Sequence, residues 1–168
     1  MKNLTIVVQT VLIFTALALG SQWSVAQEIN FRFLGNSASG LSPANQLPPV
    51  NSDALGDEIG DGVVYDPDSM VLSLSFTFEG LTGGLLDLSG GIHLHDAGPT
   101  DPFNNAGPIE FFLNLDGANV PIGSSSGTID VDVILSEEQE AELFNRQYFI
   151  NIHSVSFGIG ELLSLIHI

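Results

Sequence analysis

Hydrophobic and polar residues alternate along several segments of the chain. In residues 70–78, MVLSLSFTF, leucine and phenylalanine fall on one face, while valine, serine and threonine fall on the other. A period of two predicts a half-buried β-strand. The same alternation predicts strands at residues 29–33, 109–115, 128–135 and 148–153, which are separated by turn-forming residues.

One segment, residues 136–147, has a helical pattern instead. It opens with Ser136 as the predicted N-cap and Gln139 as its capping-box partner. Because no strand–helix–strand repeat is present, we expect an all-β fold. The predicted architecture is an antiparallel β-sandwich or a barrel-like Greek-key domain of seven or eight strands with one short connecting helix, and the sandwich is preferred.

Two stretches lack either period and are rich in turn-forming residues. They are residues 35–62 and residues 96–108. Unstructured stretches of this length are uncommon in a compact domain unless they carry function or are disordered. We therefore predict two long loops, of which the second begins directly after a pair of histidines.

The first 26 residues have the pattern of a signal peptide: Lys2, an apolar run, and then Ser24 and Ala26 as the small residues that signal peptidase requires. We expect cleavage after Ala26, which would make the protein secreted or periplasmic. Residues 27–162 have the size of a single domain. The mature chain is expected to have no membrane span.

Composition narrows the function classes. The net charge of −17, from 20 acidic and 3 basic residues, excludes nucleic acid as an expected partner because phosphates would be repelled. The chain has no cysteine, which excludes disulfides, thiol catalysis and thiolate metal sites. An exported chain without cysteine is more typical of bacteria than of animals.

The candidate chemistry lies in three of the four histidines. In residues 92–96, IHLHD, the alternation turns His93 and His95 to the face opposite the apolar side chains, about 6.6 Å apart along the strand. In residues 148–153, His153 shares the polar face with Asn151. If the two strands are neighbours, the three imidazoles could bind zinc or copper, with Asp96 or Glu161 as an oxygen ligand.

Two other interpretations remain open. The histidines could donate hydrogen bonds to loop carbonyls, forming with Asp96, Asn151 and Glu161 a structural polar cluster that holds the loop 96–108 in place. They could also act in a protonation switch or a partner contact. No catalytic motif is found, and we expect a non-enzymatic protein without a cofactor; zinc or copper is the alternative.

Four ordered motifs, residues 45–50 (NQLPPV), 92–98 (IHLHDAG), 104–113 (NNAGPIEFFL) and 148–162 (YFINIHSVSFGIGEL), resemble the CHRD domain, the module named after chordin. The resemblance spans roughly residues 31–162. It implies a stand-alone extracellular β module with a binding or structural role. The expected partner is an unknown extracellular protein or, given the acidity and the histidines, a cation.

The end of the chain departs from that pattern. After Glu161 and Leu162 the arginine expected from the family is absent, and residues 163–168 read LSLIHI. These six residues are identical to one reading frame of a transposon end sequence used to prepare sequencing libraries. We therefore expect them to be a non-native tail, with the natural protein continuing differently beyond Leu162.

Overall fold

The computed structural model describes residues 27–35, 37–87, 89–99 and 107–168. The predicted signal peptide, residues 1–26, lies outside the described residues, so cleavage after Ala26 stays a prediction. The same holds for residues 100–106 of the second predicted loop.

The described chain contains eight strands, one α-helix and two short 3-10 turns, at Pro43–Asn45 and Leu115–Gly117. No helix within it is long and apolar enough to cross a lipid bilayer. The helix, α1 (Glu137–Phe144), connects the sixth and seventh strands. The strands are β1 (Ile29–Leu34), β2 (Leu55–Asp66), β3 (Val71–Glu79), β4 (Ile92–Asp96), β5 (Ile109–Phe112), β6 (Gly127–Ile134), β7 (Tyr148–Ile152) and β8 (Leu162–His167).

All eight strands form one antiparallel, nearly closed, barrel-like sheet in the order β5-β4-β7-β8-β1-β2-β3-β6. Strand β1 joins the two halves, because Phe31 pairs with Val63 of β2 while Phe33 pairs with Ile166 of β8. The all-β prediction is confirmed, and of the two predicted architectures the barrel-like one is observed.

The alternating segments fill the core with their apolar faces. On β3 the leucines and phenylalanines of the predicted inner face are at most 1% exposed, whereas the residues between them are partly exposed. Burial of each such side chain stabilises the fold by roughly 1.5–3 kcal/mol. The period of two therefore correctly predicted both the position of β3 and the face of the strand that points into the core.

Strands β4, β7 and β8 are buried on both faces. Their second face carries a separate apolar cluster that includes Phe149 and Leu163. The segment around the first 3-10 turn packs over it: Ser42 pairs with Leu163, and the Asn45 side chain donates a 3.1 Å hydrogen bond to the Leu163 carbonyl. This second face also carries the candidate histidines, which is why they are buried.

The prediction of a loop over residues 35–62 is wrong for residues 55–62. Residues 55–62 belong to β2, which pairs with β3 on both sides of an irregularity between Glu58 and Val63. Gly60 and Gly62 there have positive φ angles of 59° and 75°, as a bulge requires. The bulge interrupts the alternation, so this half of the strand has no recognisable period.

The suspected tail forms most of β8, which lies between β7 and β1, and Leu162, Leu163, Leu165 and Ile166 are buried. An apolar segment beside open strand edges satisfies their hydrogen bonds whatever its origin. The non-native origin of residues 163–168 therefore stays a prediction.

Helix α1 begins with the predicted capping box. The Ser136 hydroxyl accepts a hydrogen bond from the Gln139 amide, and the Gln139 side chain accepts one from the Ser136 amide. Ser136→Ala should lower the free energy of unfolding by about 1 kcal/mol because it removes the cap. Urea denaturation measures this. Ser136→Thr keeps the acceptor and is the control; equal losses in both variants would contradict the capping role.

Candidate functional site

Strands β4 and β7 are neighbours and bring the predicted site residues together. Leu94 pairs with Ile150 and both point into the core, while His93 pairs with Asn151 on the second face. His153 directly follows β7, and its backbone amide donates a 2.8 Å hydrogen bond to the Gly91 carbonyl. The strand pairing thus puts the three imidazoles side by side.

The three imidazoles form one compact cluster, called here the three-histidine centre (His93, His95 and His153). Its ring centroids are 5.0, 5.5 and 6.3 Å apart. One nitrogen from each ring lies within 4.8 Å of the other two. The residues are 1%, 7% and 7% exposed. Within the described ranges this is the one group of three or more histidine or carboxylate side chains with the spacing of a metal site.

Each ring of the centre is oriented by a backbone carbonyl. A carbonyl oxygen accepts hydrogen bonds but cannot donate them, so the ring nitrogen that faces it carries the hydrogen. In a neutral imidazole the other nitrogen then carries the lone pair. The three bonds are His93 Nε2 to Ser89 O (3.2 Å), His95 Nδ1 to Gly107 O (3.0 Å) and His153 Nδ1 to Gly158 O (3.0 Å).

The second nitrogens are enclosed rather than solvated. Nε2 of His95 and Nε2 of His153 are buried, and neither has a hydrogen-bond partner among the residues that the structure describes. Phe149 stacks on His95 with ring centroids 4.9 Å apart, and Phe112 lies edge-on to His93 at 5.5 Å. The centre therefore has aromatic walls and buried lone pairs.

Burial lowers the pKa of two of the three rings. One of them is His95. For His153, burial together with the neighbouring His93 and His95 lowers the pKa to about 4, against the opposing effect of the hydrogen bond to Gly158. His95 and His153 are therefore neutral at pH 7, which is the form that coordinates metal ions.

The two predicted oxygen ligands lie outside the three-histidine centre. Asp96 Oδ1 accepts a 2.7 Å hydrogen bond from the Gly98 amide. Glu161 accepts hydrogen bonds from the Ser52 hydroxyl and from both the amide and the hydroxyl of Thr82. Each carboxylate thus stabilises a backbone connection of its own.

Asn151, the third residue of the predicted polar cluster, holds two further segments. Its Oδ1 accepts a 2.8 Å hydrogen bond from Gln46 Nε2, and its Nδ2 donates one of 3.2 Å to the Ile159 carbonyl. A Cβ at Gly160 would lie 2.2 Å from Asn151 Oδ1, so this packing requires glycine there. The sequence reasoning missed Gln46, although it lies inside the quoted NQLPPV motif.

Comparison with known families identifies the domain. The CHRD domain model matches residues 37–162, well over half of the chain. The chain belongs to the CHRD family. The resemblance seen in the four motifs is thereby confirmed, and the three-histidine centre lies wholly within the CHRD match. No curated protein and no solved structure matches the chain.

Glu161 offers a test of how the CHRD domain holds its loops. Burial raises the pKa of this carboxyl, but hydrogen bonds from Ser154, Ser52 and Thr82 together lower it below its usual value of 4.5. A lowered folded-state pKa stabilises the fold above the unfolded-state value, and this contribution is lost as the pH falls through the folded-state pKa. Glu161→Gln should therefore cost roughly 2–3 kcal/mol at neutral pH.

The cost should shrink in acid, because the protonated parent loses the same charge. Urea unfolding of parent and Glu161→Gln at neutral pH and at about pH 3 measures both differences. Glu79→Gln, at the exposed end of β3, is the matched control and should leave stability nearly unchanged. A cost that stays constant across this pH range would contradict the role of the charge.

Proposed function

We propose that this CHRD domain is an exported, non-catalytic binding module. Export is supported by the signal-peptide pattern of residues 1–26. A binding role is supported by the three-histidine centre, whose rings are buried and fixed by backbone carbonyls. Groups held in this way are suited to retaining a ligand.

The proposed ligand is a transition-metal ion, zinc or copper, bound by His93, His95 and His153. Two observations carry this proposal: a backbone carbonyl accepts a hydrogen bond from one nitrogen of each ring, and one nitrogen of each ring lies within 4.8 Å of the other two. Histidine ligands of metal ions commonly donate their second N–H to a carbonyl or carboxylate, which fixes the tautomer that coordinates. The centre has this arrangement in all three residues.

The spacing is compatible with one ion after a small adjustment. Three nitrogens at about 2.0–2.1 Å from a common ion lie roughly 3.3–3.6 Å apart, depending on whether the geometry is tetrahedral or trigonal. The nitrogens of the centre lie within 4.8 Å, so side-chain rotations would bring them into range.

A second role is favoured by the same hydrogen bonds. The carbonyls belong to three separate connections, at Ser89, Gly107 and Gly158, so the histidines also tie these connections to β4 and β7. In that role no ion is needed. Metal binding requires the second nitrogen of each ring, whereas holding the connections in place does not.

Asparagine variants separate the two roles. His95→Asn and His153→Asn keep a donor near the position of Nδ1 and remove Nε2. We expect the purified parent, loaded with zinc or copper and then freed of excess metal, to retain one ion per chain. In a separate sample in which free metal exceeds the Kd 100-fold, the free energy of unfolding should rise by about 2.7 kcal/mol. Both variants should lose the ion.

Elemental analysis and melting temperature provide the measurements. His167→Asn, which changes the one histidine outside the centre, is the matched control and should behave as the parent. Melting of each variant in a chelator shows whether it still folds. Sub-stoichiometric metal in the parent, without a rise in melting temperature, would contradict metal binding and leave loop holding as the only supported role.

A further inference from the structure

The donor set of the three-histidine centre is electrically neutral. Its members are three imidazoles, and within the described residues no carboxylate belongs to the group. Asp96 and Glu161 are engaged by backbone and hydroxyl donors elsewhere. The chain has no cysteine, so no thiolate can contribute. An ion bound by these ligands would keep its full charge.

The surroundings make a high charge costly. All three histidines are at most 7% exposed, and Phe149 and Phe112 pack against His95 and His93. The cost of moving an ion from water into a medium of low dielectric constant is several kcal/mol for a single charge and grows with the square of the charge. A divalent ion without an anionic ligand is therefore penalised far more than a monovalent one.

The number of ligands also favours a monovalent ion over a divalent one. Zinc in proteins is almost always four-coordinate, and with three histidine ligands its fourth position is taken by water or substrate. Monovalent copper has a filled d shell and is satisfied by three ligands in a plane. Imidazole is a suitable ligand for copper. Three imidazoles between aromatic rings meet the needs of monovalent copper without a fourth donor.

We propose that the three-histidine centre selects monovalent copper, Cu(I), over Zn(II). This selectivity rests on the proposed metal-binding function and names its ligand. The ion binds as Cu(I), so no electron transfer is part of the proposal. The neutral donors, the enclosure and the count of three ligands together determine the preference.

The test is a pair of competition titrations on the purified full chain under anaerobic conditions. Cu(I) is added against a chromogenic Cu(I) chelator, and Zn(II) against a chromogenic zinc chelator. We expect one Cu(I) per chain, bound roughly 100-fold more tightly than Zn(II). His95→Asn should lose the Cu(I), and His167→Asn should retain it.

A third variant tests the electrostatic reason. His153→Asp replaces one neutral donor by an anion, so the ratio of Cu(I) affinity to Zn(II) affinity should fall at least about tenfold, with circular dichroism confirming the fold. Equal or tighter Zn(II) binding by the parent would overturn the selectivity and leave metal binding intact. Failure to bind either ion would overturn both proposals, and Cu(I) retained by His95→Asn would locate the ion elsewhere.

Discussion

The antiparallel pairing of β4 with β7 determines both the core and the candidate site of this CHRD domain. The register that opposes Leu94 to Ile150 sends these side chains inward and puts His93 opposite Asn151. Because side chains alternate along a strand, a shift by one residue would exchange the two faces completely. Imidazoles would then enter the apolar core, which makes the observed register strongly preferred.

Burial of the second face imposes the next constraint. A buried polar group without a partner costs about 1–3 kcal/mol, so every polar side chain on this face needs a bond. The partners come from distant segments: Gln46 for Asn151, and Gly158 for His153. Glu161 extends the same principle to Thr82. The polar residues on the second face thus hold in place the chain segments that connect the strands and pass over this face.

The period of two was sufficient to predict β3 and the faces of His93, His95 and His153, because that period is a local property of the chain. The course of β2 was not predictable in this way, since the bulge at Gly60 and Gly62 removes the alternation. The positions of the two predicted oxygen ligands were not predictable for a different reason. Asp96 and Glu161 are close to the histidines in sequence or in motif, but the direction of a carboxylate depends on its tertiary partners.

The carbonyl hydrogen bonds of the three-histidine centre use only one nitrogen of each ring. One donor per side chain satisfies the carbonyls of Ser89, Gly107 and Gly158, and an asparagine or glutamine supplies such a donor. Histidine adds a second nitrogen, and in the centre one nitrogen of each ring lies within 4.8 Å of the other two, in a buried and aromatic environment. Nε2 of His95 and Nε2 of His153 are buried without a hydrogen-bond partner among the described residues, and burial of an unpaired acceptor is unfavourable. A cation bound beside these nitrogens would offset that cost, and this is the physical argument for the proposed binding role.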